Sequence, residues 1–470
     1  MTYYFYEKKI TIMENRLEEG SFLIINRKML HRNIFSLAWP SVTEYLLYTI
    51  TMMVDMIMVS RLGTDAIAAV GLSNIIAFTF ISMFGFPLRI SSQALTARFS
   101  GAHLPLRIKD AGGNSLMIAI IVGLTISILG ILGSGWLLKI MGASESVHLI
   151  GVGYLRWVLG IAIFRIVFFV CSGILRGMGD ARTPMFILLV SNIINIIFNY
   201  FLIFGIGMFP RLNVLGAGIA TGGAYIIAGI SLFVITIYFR KGVPLNLIDI
   251  KRFNRNMVKN ILRIALPASI ETVVRRIGLL IFIRMVAALG TVALAAHQLA
   301  IRIEAFSFMI GVGFGVVSAT LVGQSLGAKK IKLAEESIKK TSYYSIGLMS
   351  LLGFIFVLFP GFILQIFKPE MDVKTLSTIA LIICAFEQIP LGLFMVITGG
   401  LKGAGDTKTP MIISVVGSLL IRVPLTYILA FKLNLGFVGI WLGALSDWWV
   451  KAILAVIAFY RSSWKELEFK

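Results

Sequence analysis

Cysteine and charged residues are scarce in this 470-residue sequence. The two cysteines, Cys171 and Cys384, both lie in apolar runs, which excludes a disulfide framework and predicts packing roles for them. Only 14% of the residues are charged while 58% are hydrophobic, and the mean hydropathy is +0.92. About a quarter of the residues in a soluble protein are charged, and such a protein could not cover so much apolar surface. The composition therefore predicts an integral membrane protein that has no large soluble domain.

Twelve long apolar runs predict an all-α membrane protein with twelve transmembrane helices, because a spanning helix needs about 20 apolar residues. The runs lie near 35–59, 67–97, 112–135, 150–172, 184–206, 215–238, 264–289, 294–323, 343–367, 377–400, 410–430 and 437–460. We predict an N-terminal tail over 1–34, a first lobe over 35–239, a linker over 240–263, a second lobe over 264–460 and a C-terminal tail over 461–470.

The positions of the basic residues predict the topology. With the N-terminus inside, 28 of the 43 lysine and arginine residues fall in cytoplasmic segments and six on the opposite face. This positive-inside bias predicts an inner-membrane protein with both termini in the cytoplasm. Acidic membrane lipid, and not nucleic acid, is the expected partner of these loops. We expect a monomer, and we interpret the first 30 or so residues as a cytoplasmic tail and not a signal peptide.

The chain repeats itself at an offset of 226 to 227 residues. Residues 61–72 align with 288–299, and residues 175–185 align with 401–411. Three single positions also recur: Pro40 at Pro267, Glu44 at Glu271 and Gly101 at Gly327. Because six helices per half bring the chain back to its starting side, the two lobes are predicted to be parallel repeats related by an axis along the membrane normal. Two such lobes around a cleft suit alternating-access transport, although a duplicated helical scaffold is also compatible.

The first predicted helix carries a polar stripe. Asp55 has no basic residue one turn away, and a carboxylate in the hydrocarbon region by default marks a functional site or an internal pair. Glu44, eleven residues earlier, falls on the same helical face, with Tyr48 and Thr51 between the two carboxylates. We therefore place Glu44, Tyr48 and Thr51 at a substrate cavity and Asp55 at an ion-coupling site.

The fifth predicted helix carries three amides on one face, Asn192, Asn195 and Asn199. They predict a shared polar pocket with Asp55, although asparagines that merely bridge helices are an alternative. Carboxylate and amide oxygens are the hard ligands that Na⁺ accepts, so Asp55, Asn195 and Asn199 could hold this ion. Burial equally favours the protonated form of a carboxylate. The coupling ion is therefore predicted to be Na⁺ or H⁺, with no other cofactor.

The second lobe does not repeat this pattern, since Asp55 aligns with Phe282. It has charged residues of its own, which we expect to pair inside the bundle or to line the cavity. We predict that Asp447 pairs with Lys451 and that Glu271 balances Arg275, each at a spacing of four residues. The second-lobe residues placed at the substrate cavity are Glu271, Arg275, Arg284 and Glu387.

Other motifs favour structural roles. Asp180 and Asp406 end the repeated Gly-x-Gly-Asp blocks and precede helices five and eleven, so they are predicted to cap those helices. The blocks lack the strand that precedes a phosphate-binding loop. His297 is predicted to be a hydrogen-bonded packing residue. No His/Glu cluster or Ser/His pair in the sequence points to catalysis, so we predict no catalytic residues and no enzyme activity.

Residues 175–185 and 401–411, the segment Ala295-Ala-His-Gln298 and the pattern from Pro40 to Asp55 together resemble the MATE (multidrug and toxic compound extrusion) family of the MOP flippase superfamily, over about residues 33 to 460. The resemblance implies twelve helices in two lobes. It also implies multidrug efflux, the export of organic and often cationic compounds in exchange for Na⁺ or H⁺. The alternative that it leaves open is a lipid-linked oligosaccharide flippase of the same superfamily, in which second-lobe arginines would meet pyrophosphate.

The resemblance also assigns individual positions. Asp55 occupies the acidic position of the family's first helix, and Asn195 occupies the amide position of its fifth helix. Asn199 stands where the DinF-like branch has an aspartate, which removes one charge from the site. Arg275 falls where the NorM-like branch has a glutamate, which argues against a second-lobe cation site of that type.

Overall fold

The computed structural model describes residues 29–239, 245–461 and 463–467. Parts of the predicted tails and linker therefore lie outside the described residues. We number the membrane spans in chain order. Spans 1 to 6 are Leu30–Ser60, Thr64–Gly101, Pro105–Ile140, Glu145–Gly160 with Ala162–Gly177, Arg182–Phe204, and Asn213–Val234, which continues as a π-helix over Ile235–Phe239. Spans 7 to 12 are Arg255–Ala287, Thr291–Gly327, Ile331–Leu358, Met371–Ala404, Lys408–Lys432 and Gly436–Tyr460. Short helices cover Leu247–Lys251, Pro360–Gln365 and Ser463–Lys465.

Helices suit these apolar segments because an α-helix satisfies its backbone polar groups within the segment, where the bilayer offers no water. Ten helices are long and apolar enough to cross a membrane, and the two halves of span 4, bent by 41°, form an eleventh. Span 7 is 33 residues long, but its arginines and Glu271 lower its hydropathy. Its length and its alignment with span 1 make it the twelfth span of the predicted fold.

Buried apolar side chains divide mainly by lobe. One cluster fills the first lobe and reaches the start of span 7, and two further clusters fill the second lobe. A fourth cluster joins the lobes, with Leu30 and Ile34 of span 1 packed against Phe314 and Leu321 of span 8. The lobes therefore have cores of their own and share a smaller apolar contact.

Spans 2 and 8 bring the lobes together at the end of the bundle that carries most of the loop lysines and arginines, which we call the basic end. Gly101 and Gly327, which align in the repeat, lie against the opposite backbone. A Cβ atom on Gly101 would collide with the carbonyl oxygen of Gln324, and one on Gly327 would collide with that of Arg98. Only glycine allows this approach without a shift of the backbone.

Amide side chains reinforce the same contact. Gln93 Nε2 of span 2 donates hydrogen bonds to Val316 O and Thr320 Oγ1 of span 8, both at 2.9 Å. Gln324 Nε2 donates to Gly177 O at the end of span 4, at 2.8 Å. Close backbone packing and these neutral hydrogen bonds join the lobes at the basic end, and Arg98 Nη2 of span 2 adds a hydrogen bond to Leu467 O at 2.7 Å.

Span 11 differs from its repeat partner, span 5. Span 5 is a regular α-helix, whereas span 11 contains π-helical segments over Val416–Ile421 and Ile428–Lys432. Pro424 lies between them and lacks the N–H that an α-helix requires. π-Helical turns often occur at functional sites, so span 11 is a candidate for a functional role in the second lobe.

The orientation of the bundle in the membrane stays a prediction, with the basic end in the cytoplasm. In a Lys330→Cys variant the thiol should react with an impermeant reagent only from inside, and in a Lys374→Cys variant only from outside. Cys171 and Cys384 are both buried, which limits background labelling of intact protein. Labelling of Lys330→Cys from outside alone would contradict the topology.

Candidate functional site

The first-lobe site is built around Asp55, which is 7% exposed. Asn199 Nδ2 of span 5 donates a hydrogen bond to Asp55 Oδ1 at 2.6 Å. Thr221 Oγ1 of span 6 donates to Asp55 Oδ2 at 3.5 Å. Both partners are neutral, and within the described part of the chain no ion pair balances the carboxylate. The predicted approach of span 5 to Asp55 is thus present, and span 6 contributes a hydroxyl that the sequence pattern did not indicate.

Asn195 completes this pocket, and its amide fits in two orientations. In one, Asn195 Oδ1 accepts a hydrogen bond from Asn199 Nδ2 at 3.2 Å. In the other, the Asn195 nitrogen lies 2.9 Å from Asp55 Oδ1 and its oxygen faces the Thr221 N–H at 3.3 Å. Asn199 Oδ1 is buried and has no hydrogen-bond partner within residues 29–239, 245–461 and 463–467. A bare carboxylate favours amide donors, whereas a bound cation would favour amide oxygens, so the side chains present suit both states.

Other predicted residues of this site lie apart from Asp55. Asn192 Nδ2 donates to Leu47 O at 3.2 Å, which ties span 5 to the backbone of span 1. Thr51 Oγ1 donates to Leu47 O within its own helix, at 2.8 Å. Tyr48 lies against Phe169, with ring centroids 6.3 Å apart, and its buried hydroxyl has no hydrogen-bond partner in the part of the chain that the structure describes. The geometry therefore gives Asn192 a bridging role and leaves Asn195 and Asn199 at the carboxylate.

Glu44 is paired and not free. It is fully buried and forms an ion pair with Arg176 at the end of span 4. The corresponding glutamate of the second lobe, Glu271, pairs with Lys402 Nζ at 2.9 Å. The predicted pairing of Glu271 with Arg275 is therefore wrong. Span 10 continues to Ala404, past the predicted loop boundary, and this places Lys402 beside Glu271.

We expect the Glu271–Lys402 pair to couple energetically. A double-mutant cycle of Glu271→Gln and Lys402→Met, read as the free energy of unfolding in detergent, should give a coupling of about 1–3 kcal/mol, because each single change leaves a charge without its partner. The matched cycle of Glu271→Gln and Arg275→Gln should be additive within about 0.5 kcal/mol. Equal coupling in both cycles would contradict the assignment.

The second lobe contains a charged cluster around Asp447, which is fully buried. Lys451 Nζ and Arg422 Nε each lie 2.8 Å from Asp447 Oδ2. Lys451 Nζ also donates to Ser418 Oγ at 2.8 Å, and Ser418 lies in the first π-helical segment of span 11. The predicted Asp447–Lys451 pair is confirmed, and Arg422 adds a second cation to it.

A second group of acidic side chains lies nearby in the second lobe. Ligand atoms of Glu304, Cys384 and Glu387 all lie within 4.8 Å of one another. Glu387 is 1% exposed, and no described residue forms a hydrogen bond with its Oε1. The sequence indicated Glu387 but not its neighbour Glu304, because the two belong to spans 10 and 8. These carboxylates form a second place where a proton or a cation could bind.

Arg275 and Arg284, the remaining predicted cavity residues, lie on different faces of span 7. Arg275 is exposed on the side of Glu271 and Phe282. Arg284 is exposed on the outer face with Ile277 and Leu280, three residues before the end of the helix. Arg284 therefore lies apart from the two polar clusters of the second lobe.

The motifs assigned to structural roles have mixed outcomes. Asp180 and Asp406 each accept a hydrogen bond at 3.0 Å from a backbone N–H in the first turn of the next helix, which confirms the predicted caps. His297 packs between Phe282 and Trp441, with ring centroids 5.4 and 5.5 Å away. Its two ring nitrogens have no hydrogen-bond partner in the described chain, so packing is confirmed and the predicted hydrogen bond is wrong.

Two parallel lobes of six spans, with buried polar clusters inside them, define a multi-pass membrane transporter. The chain belongs to the MatE family, whose model matches residues 40–201 and again 267–428. The two matches correspond to the two lobes and confirm both the duplication and the fold predicted from the sequence.

Curated relatives match nearly the whole chain. The Bacillus subtilis protein YisQ, named an uncharacterized transporter, is 26% identical over 90% of this chain and 92% of its own length. A Thermotoga maritima protein, named probable multidrug resistance protein NorM, is 28% identical over 93% of this chain and 94% of its own. A solved outward-facing multidrug resistance MATE family transporter of the MOP superfamily shares the fold, with a TM-score of 0.86, 23% identity and coverage of 93% and 96%.

Proposed function

We propose that this protein is a secondary active antiporter that exports amphipathic organic compounds in exchange for Na⁺ or H⁺. The observation that carries the proposal is Asp55, a buried carboxylate whose hydrogen-bond partners Asn199 and Thr221 are neutral. An intramembrane carboxylate without a countercharge gains from binding a cation or a proton. The names of relatives such as the Thermotoga maritima protein support multidrug compounds as the substrate class.

In this mechanism Asp55 acts as a charge switch. The ionised carboxylate attracts a cationic compound into the first lobe, and a bound proton or Na⁺ removes that attraction. Because the two occupants favour different states of one group, each lowers the affinity for the other, which is the thermodynamic basis of exchange. The contact at the basic end would open and close as the lobes alternate.

The experiment that tests the proposal is transport in proteoliposomes with Na⁺ and H⁺ gradients imposed separately. An inward gradient of the coupling ion should drive export of an organic cation such as rhodamine 123, and a gradient of the other ion should not. Equal dye movement with and without either gradient would reject secondary active antiport.

The second candidate function is a flippase for lipid-linked oligosaccharides. Arg275, which is exposed, and Arg276, which is half-buried, favour it because paired guanidinium groups suit a pyrophosphate. Movement of a fluorescent pyrophosphate-linked lipid between leaflets without any ion gradient would support the flippase over the antiporter.

Anionic lipid is the proposed partner of the basic end. Arg255, Lys259 and Arg263 at the start of span 7 line a groove together with the apolar Leu262 and Leu266. Cations next to lipid-facing leucines suit the headgroup level of an acidic leaflet.

A further inference from the structure

Arg89 of span 2 is a buried guanidinium that forms no ion pair with any residue that the structure describes. It is 5% exposed, and its Nε and Nη1 have no hydrogen-bond partner among the described residues. Its guanidinium carbon lies 5.2 Å from the ring centroids of Tyr45 and Phe86, and its Cγ lies next to Gly173 of span 4. A charged group out of water normally acquires a pair or hydrogen bonds, so Arg89 has donors available for a ligand.

In the described part of the first lobe, both buried carboxylates have partners other than Arg89. Its buried charged residues in the described chain are Glu44, Asp55, Arg89, Arg165 and Arg176. Glu44 is paired with Arg176, and Asp55 accepts hydrogen bonds from Asn199 and Thr221. Arg165 lies over the ring of Tyr225 at 4.4 Å and has a buried Nε without a partner. With both acids ionised, the buried part of the lobe carries one positive charge in excess.

Arg89 lies on the face of span 2 that meets the second lobe. Gln93, one turn later, donates to Val316 and Thr320 of span 8. Phe78, three turns and about 20° earlier, lies under Arg276 of span 7, whose guanidinium carbon is 4.9 Å from the ring centroid. Both neighbours on this face contact the second lobe, while the Arg89 side chain itself packs on Tyr45 of span 1 and Gly173 of span 4, inside the first lobe and next to this junction.

We propose that Arg89 binds an anionic group of the transported compound, so that the substrates include aromatic amphipathic carboxylates and sulfonates. The guanidinium fork supplies paired donors to a planar oxyanion, and the rings of Tyr45 and Phe86 supply apolar surface for an aromatic body. Arg276 of the other lobe lies over Phe78, about 16 Å away along span 2, so the anion site at Arg89 contains one cation. The proposal rests on the transport function above, because it names a substrate class for the same cleft.

Two dyes with one xanthene core test this assignment: fluorescein, an anion, and rhodamine 123, a cation. Binding to detergent-purified protein is measured by fluorescence anisotropy without any ion gradient. Arg89→Gln should weaken fluorescein binding at least about tenfold, because a charge-assisted pair is lost, and leave rhodamine 123 binding unchanged within about twofold. Arg156→Gln is the matched control, since it removes the same charge from an exposed position of span 4.

Arg89→Lys keeps the charge but not the planar fork, and should weaken fluorescein binding by about threefold. It replaces Arg89→Gln as the decisive variant if the latter does not purify as a monodisperse protein. Unchanged fluorescein binding in a folded variant, or an equal loss with Arg156→Gln, overturns the proposal. Because binding is measured without gradients, failed antiport in proteoliposomes rejects the transport function separately from the anion site.

Discussion

Asp55→Asn is expected to abolish gradient-driven export and leave the protein folded. Asparagine has nearly the shape of aspartate and can still bond to Asn199 and Thr221, but it cannot take up a proton or balance a cation. Because no ion pair to Asp55 is present in the described chain, the change leaves no partner charge stranded. The measurement is dye export from proteoliposomes under the driving gradient, with the melting temperature in detergent as the check on folding.

Asp65→Asn is the control for this substitution, because Asp65 is an exposed carboxylate in the first turn of span 2. It should export at the wild-type rate. Asn195→Ala should weaken the dependence on the ion more mildly than Asp55→Asn, since it removes one polar ligand and no charge. Export at the wild-type rate by folded Asp55→Asn would move the coupling site to the second lobe, where Glu387 and Glu304 lie together.

Gly327→Leu should also stop transport, by preventing closure at the basic end. Any side chain at this position meets the carbonyl oxygen of Arg98, so spans 2 and 8 must separate. We expect a folded protein held open at the basic end. The readout is the reactivity of a Val317→Cys thiol, since Val317 is 1% exposed within the cluster that joins the lobes.

The same substitution at Gly347 of span 9 provides the control, because a Cβ atom there meets nothing within 4 Å. Gly347→Leu should transport normally and keep the Val317→Cys thiol protected. Wild-type transport by Gly327→Leu would show that the close packing of Gly101 and Gly327 is not needed for the cycle.

Much of the fold could be predicted because each span is an apolar run and the chain repeats. The ends of the spans could not, since helices continue through polar residues at the membrane interface. Span 3, predicted over 112–135, covers Pro105–Ile140. The same error placed Arg176 and Lys402 in loops, although both belong to helices that bring them to Glu44 and Glu271.

The candidate site was predictable where a helical period marked it. Asn195 and Asn199 repeat on one face of span 5, and this face meets Asp55. Thr221 lies among the small residues of span 6, which has no stripe of amides or carboxylates, so no pattern singles it out. Arg89 and Arg165 did carry a signal, because an ionisable residue inside an apolar helix is by default functional. Lysine and arginine positions served mainly to predict topology, so Arg89 and Arg165 were not identified as candidate functional residues.

The two repeated ion pairs have a mechanical consequence. The Glu44–Arg176 ion pair links span 1 to span 4, and the Glu271–Lys402 ion pair links span 7 to span 10. Each ion pair therefore lies within one lobe. Between the lobes, the hydrogen bonds of Gln93 and Gln324 are neutral. Water can replace each of them at a net cost of about 0.5–1.5 kcal/mol. Deforming a lobe would leave a buried charge without its partner, whereas separating the lobes at the basic end exposes amides and the half-buried Arg98, which donates to Leu467 O, to water. The cheapest large motion of the molecule is therefore the rocking of two stiff halves.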